Sequence, residues 1–196
     1  MVEDDSPRVA PAPAIDPATA KSRLDGAMAA IRALNLDDAL AILADVEETL
    51  RFSRDPGLRV EWARCLNGLG FIELMDAKET RRNAGSGADE QVLREFQRAL
   101  RHALARFDQA LAIQSDETYR KFVLGNKAYA LALLGRADDA RAILVSLFAS
   151  DDRTLYEGQI VDTQVLRVPE DEGVSRLLQE VWQDRAVYNA QSDDDG

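Results

Sequence analysis

A single histidine, a single cysteine and several short runs of carboxylates are the residues here whose chemistry could go beyond packing. His102 stands in Arg101-His102-Ala103, and any metal site or Ser-His-Asp arrangement would have to be built around it. No second histidine at helical spacing, no nucleophile elbow and no phosphate-binding glycine loop accompanies it, so it reads as a surface or packing histidine. Cys65, in Trp62-Ala63-Arg64-Cys65-Leu66, has no partner for an intrachain disulfide or a cysteine metal cluster and reads as an inert buried thiol. The acidic runs Asp138-Asp139, Asp151-Asp152, Glu170-Asp171-Glu172 and Asp193–Asp195 lack the alternating ligand spacing of a calcium loop. Several stand where helices should start, and capping accounts for them there. The expectation is therefore a non-catalytic protein with no cofactor and no metal site.

The charge balance narrows the partners. A formal charge of -11 opposes phosphate backbones and anionic membranes, which are held by clustered Lys and Arg. Arg94, Arg98 and Arg101 do share one face of a helix, where they could hold a carboxylate or an acidic peptide; Glu90 and Glu95 lie at pairing distance along the same helix. The chain's start is acidic and unlike a signal peptide, and no apolar run approaches the roughly 20 residues that cross a bilayer. The expected address is the cytoplasm.

The elements that must position any site are helical. Hydrophobic residues make up 46% of the chain and aromatics only 6%, and Ala, Leu, Arg and Glu dominate over sheet-formers. Residues 1–18 hold four of the six prolines and read as a flexible arm; residues 191–196 read as an acidic tail. Between them, apolar spacing predicts helices at about 19–33, 37–50, 58–78, 89–114, 117–134, 137–149 and 173–189. After about residue 76 the period is interrupted, and residues 77–99 read as an insertion containing the polar stretch Arg81–Gly87. Residues 152–172 are the least periodic and suggest a short helix plus an extended strap. Val174, Leu177, Leu178, Val181 and Trp182 give the last helix one apolar face, suited to capping a stack. Helix 117–134 carries two stripes, Phe122-Asn126-Tyr129-Leu133 and Leu124-Ala128-Leu131, as a helix buried between neighbours requires.

Helical pairs recur along the chain. In Tyr119–Phe148, Leu124, Lys127-Ala128 and Leu131 precede Gly135, and Ala140, Leu144 and Leu147 follow it. This spacing resembles the tetratricopeptide repeat. Looser units are Leu66–Met75 paired with Ala103–Ser115, and a hairpin at 19–51 that keeps Ala27 and Ala39. The resemblance implies an all-α fold, a right-handed superhelical stack of antiparallel hairpins closed by a C-terminal capping helix. It also implies a concave face on which a protein segment lies, gripped by an asparagine of the inner helices. Asn126 matches that position and Asn67 lies one residue from it; Phe122, Tyr129, Arg64 and Phe71 are the expected neighbours. The basic pairs that clamp a C-terminal carboxylate in some such proteins are not reproduced. The expected function is protein binding, as an adaptor or scaffold; a small acidic chaperone for a specific client and a structural subunit of an assembly are the alternatives.

Overall fold

The computed structural model describes residues 15–113, 116–150 and 152–194. Among these the chain forms eight α-helices and no strand: α1 Pro17–Arg32, α2 Leu36–Leu50, α3 Pro56–Ala84, α4 Glu90–Ile113, α5 Glu117–Leu133, α6 Ala137–Phe148, α7 Arg153–Asp162 and α8 Asp171–Asp194. Aspartates open most of them. Asp16, Asp55, Asp89, Asp116 and Asp152 each accept a backbone N–H of the first helical turn, which fills an orphan donor and places negative charge at the positive end of the helix dipole. Part of the chain's acidity is thus capping chemistry. Pro17 and Pro56 follow their caps directly, where a missing N–H is harmless. Asp16 and Pro17 start α1 inside the segment expected to be an arm; residues 1–14 of that arm lie outside the described residues.

Each of α2 to α6 packs on the helix before it, and α1 with α3 and α3 with α5 also meet. The order changes after α6. Helix α8 returns to α6 and α5, and α7 lies against α5 and α8. Val174, Leu177, Leu178 and Val181 of α8 are buried, as the apolar face requires, and Trp182 stacks on Tyr156 at 4.5 Å between ring centres.

Helix α3 is the spine. Leu69 and Ile72 join the α1–α2 core of Leu24, Leu43, Val46 and Leu50, and Leu66, Leu74 and Met75 join the larger core that runs through α4 to α8. A helix apolar on both sides has to sit between layers. Residues 77–99 are the continuation of α3, the short turn at 85–89 and the first turns of α4; α3 runs past its expected end at about 78, while α4 falls within a residue of its expected bounds. The reason is polar: Lys78 and Arg81 on the last turns of α3 point inward to the buried Asp171 and the half-buried Glu170 instead of ending the helix in solvent.

Residues 152–172 resolve into α7 and a connection of turns. Lys78, fully buried, lies 3.1 Å from Asp171, also fully buried, and donates to the Asp162 carbonyl at 3.0 Å. One turn on, Arg81 pairs with Glu170 at 2.9 Å. Two cations of α3 thereby hold the whole segment 162–171 and fix the C-terminal end of α7.

Candidate functional site

Where α1, α3, α5 and α7 face one another they leave a groove of about 440 Å³. Its apolar part includes Met28, Ile31, Phe71, Phe122 and Leu155; its polar part includes Asn67, Asn126, Gln159 and Asp162. Five of the six residues expected to touch a partner, Arg64, Asn67, Phe71, Phe122 and Asn126, line this one groove. Phe122 leaves 52% of its surface open, unusual for a large ring on a packed helix.

Tyr129 is a correction. It is only 2% exposed and does not line the groove. Its hydroxyl accepts from Lys78 and donates to Asp171 Oδ1 at 2.5 Å. Burial, reinforced by the charge of Asp171, pushes its phenol well above the ordinary range, so it stays protonated. Burial also lowers Lys78, against the pull of Asp171. Tyr129 shares a stripe with Asn126, but α7 and α8 cover the stripe beyond Asn126. That covering is a long-range packing event invisible to local periodicity.

The polar wall is ordered from α3 to α5. Asn126 Nδ2 donates to Asn67 Oδ1 at 3.0 Å, and Asn67 Nδ2 donates to the Tyr119 hydroxyl at 3.3 Å. The bond to Asn67 uses one N–H of Asn126 and leaves its amide oxygen free to accept. Arg64 is spent locally: it bonds Glu61 and Asp25, each at 2.7 Å, and lies over the Tyr119 ring. Asp25, bonded by Lys21 and then by Arg64, is held below the usual carboxylate range.

Helix α7 supplies the part of the groove that the sequence did not announce. Gln159 packs its side-chain amide on Gly125: a Cβ at Gly125 would lie 2.9 Å from Nε2. Asp162, three residues on, is the last residue of α7. Burial pushes its carboxyl up to about 6, opposed by the charge of Lys78. A spacing of three on a helix begun by Asp152 was the available signal, since it places Gln159 and Asp162 on one face.

Arg94, Arg98 and Arg101 are exposed on α4, away from the groove. Arg94 pairs with Glu90 at 2.6 Å and Arg101 donates to Gln97 at 3.3 Å, the ordinary pattern of a solvated helix face. Arg81 does not join them, because it is turned inward to Glu170. His102 is exposed on α4, and the described residues contain no group of three side chains able to hold a metal ion. Cys65 is buried, its thiol pushed up to about 12 by desolvation and bonded to the Leu43 carbonyl at 3.2 Å. No described helix is long and apolar enough to cross a membrane.

Fold and site together define an all-helical protein with a groove lined by both apolar side chains and amides. Comparison with protein-family models finds no matching family, and comparison with curated proteins and with solved structures finds no match.

Proposed function

We propose that the chain is a non-catalytic protein-binding module of the tetratricopeptide type, an adaptor or scaffold that receives a segment of another protein in the groove between α1, α3, α5 and α7. The carrying observation is that Arg64, Asn67, Phe71, Phe122 and Asn126, drawn from helices far apart in sequence, line one open groove. Contacts between alternate helices, α1 with α3 and α3 with α5, support this reading, since a stack of hairpins would bring its first helices together on an inner face. Apolar surface with a few fixed polar groups is what a recognition groove needs: the first supplies affinity, the second orientation. An amide chain anchored on Tyr119 grips without side-chain entropy to lose on binding.

The test is affinity capture from the native lysate with the wild-type chain and with Phe122→Ala/Asn126→Ala. A stoichiometric partner captured by the wild type and lost by the variant, with unchanged circular dichroism and melting, supports the reading. A partner held equally by both removes it and moves the interface to another face.

A further inference from the structure

Helix α7 puts two polar side chains into the groove, Gln159 and Asp162. Gln159 is 6% exposed, yet its amide makes no hydrogen bond within the described residues, and what remains accessible of it faces the groove. With no partner in the fold, the amide's donors and acceptor are left to whatever occupies the groove, water included. Asp162 is disfavoured three times over. It is largely desolvated, its carboxylate lies at the negative end of the α7 dipole, and it has no hydrogen bond or ion pair of its own. Lys78 offsets this only in part, since that ammonium bonds Tyr129, Asp171 and the Asp162 carbonyl oxygen and not the Asp162 carboxylate.

A desolvated carboxylate beside an amide with no partner in the fold marks a place where a ligand can complete the structure. Their chemistry says which ligand. The Asp162 carboxylate, the Gln159 carbonyl oxygen and the Asn126 oxygen left over by the bond to Asn67 are all acceptors lining the same groove. Several acceptors with one negative charge call for a cation with many donors in a plane. That is a guanidinium, which offers five N–H groups in a fork, whereas an ammonium is a point charge with three. Met28, Ile31, Phe71 and Phe122 line the same groove for an aliphatic stem and its neighbours. Of the other charges lining the groove, Asp25 and Arg64 satisfy each other, and Arg32 is exposed on the last turn of α1. The chain's charge of -11 favours a basic visitor over an acidic one.

We infer that Gln159 and Asp162 form an arginine-recognition subsite, which takes the guanidinium of an arginine in the partner's bound segment. The inference rests on the groove being the binding face. It specifies the partner as a segment with an arginine flanked by apolar residues.

The experiment is a titration of the ¹⁵N-labelled full chain with the peptide acetyl-Ala-Leu-Arg-Leu-Ala-amide and with the same peptide carrying citrulline, which keeps the shape and loses the charge. The arginine peptide is expected to shift the Gln159 side-chain amide and the α7 resonances, and to bind at least tenfold more tightly than the citrulline peptide at pH 7.5. Asp162→Asn is expected to abolish that preference, Gln159→Met to weaken it, and pH 5 to diminish it as Asp162 takes up a proton. Equal affinity for both peptides, or an undiminished preference in Asp162→Asn, overturns the inference. If both peptides bind equally and Asn126→Ala weakens both, the groove reading stands and only the arginine subsite falls. If neither peptide moves a groove resonance, the subsite falls as well, and the groove is judged by the capture experiment alone.

Discussion

Leu34 and Gly135 occupy the same place in two helical hairpins. Leu34, at φ 58°, ends α1 and Gly135, at φ 76°, ends α5; the next residue in each case, Asn35 or Arg136, donates its N–H at 2.9 Å to Ala30 or Leu131. The left-handed turn suits glycine and costs a side-chain-bearing residue about 1 kcal/mol or more. Leu34 is 53% exposed, so little burial offsets that strain. Leu34→Gly should therefore raise stability by about 0.5–1 kcal/mol, while Gly135→Ala should lower it by about 1 kcal/mol. Urea denaturation of both variants decides it; the same sign for both would sink the equivalence.

The buried Lys78–Asp171 pair predicts a strongly non-additive cycle. Removing one partner strands a charge in the core, which costs about 3–5 kcal/mol, whereas removing both charges costs far less than the sum. Lys78→Met and Asp171→Asn should each lower the urea midpoint sharply, and the double variant should recover at least about 2 kcal/mol of the summed loss. Asn at 171 keeps an acceptor for the Val168 N–H, which now bonds Asp171 Oδ2 at 2.8 Å. Additive losses would show that the pair does not hold the segment 162–171.

Asp162 gives a pH dependence of definite sign. Its carboxyl titrates near 3.8 when unfolded and is pushed up to about 6 in the fold, so between those values the folded state binds more protons. Stability on this account is highest below the lower value and falls as pH rises through the upper one. The groups packed around it are Lys78 of α3, Tyr129 of α5 and Asp171 of α8; Tyr129 stays neutral and the other two offset each other. Asp162→Asn should thus stabilise the protein at pH 8, by up to about 3 kcal/mol, and make little difference at pH 4. Melting curves at the two pH values test it. A variant less stable than wild type at pH 8 would give Asp162 a structural role.

The helices were legible because their apolar spacing is local. α2, α5 and α6 fall within a residue or two of their expected bounds, since Asp37-Asp38, Glu117 and Asp138-Asp139 mark their starts. The structure also brings out a closer kinship than two alanines between the α1–α2 and α5–α6 hairpins. The pattern Asp-Asp-Ala-x-Ala-Ile-Leu stands at 37–43 and again at 138–144, just after Leu34 and Gly135. What local spacing could not show is where the chain turns back. Tyr129 has the right type and period for a groove residue, but the return of α8 buries it. Lys78 and Arg81 look like the solvated end of a helix until Asp171 and Glu170, some 90 residues later, are folded against them. Gln159 and Asp162 lay in the least periodic stretch, and only the docking of α7 on α5 turns them into a wall of the site.

Two glycines make the last prediction, because they face neighbours of different stiffness. A Cβ at Gly70 of α3 would lie 2.7 Å from the Phe107 ring and 3.1 Å from Arg106 Cβ. Phe107 is fully buried and the Arg106 atom is next to backbone, so neither can yield. Replacing a helical glycine with alanine gains about 1 kcal/mol in propensity, but overpacking a core costs about 1–3 kcal/mol, and here the second term should win. At Gly125 the obstacle is the Gln159 amide, the far end of a flexible side chain with no hydrogen bond to break. Gly125→Ala should leave the melting temperature near that of wild type, because the gain and the clash nearly cancel, while displacing Gln159 in the groove. Gly70→Ala should lower the melting temperature and leave the groove's shape intact. Differential scanning calorimetry paired with the ¹⁵N spectrum of the Gln159 side chain separates the two. A spectrum unchanged by Gly125→Ala would mean that the Gln159 amide does not rest on α5 as described.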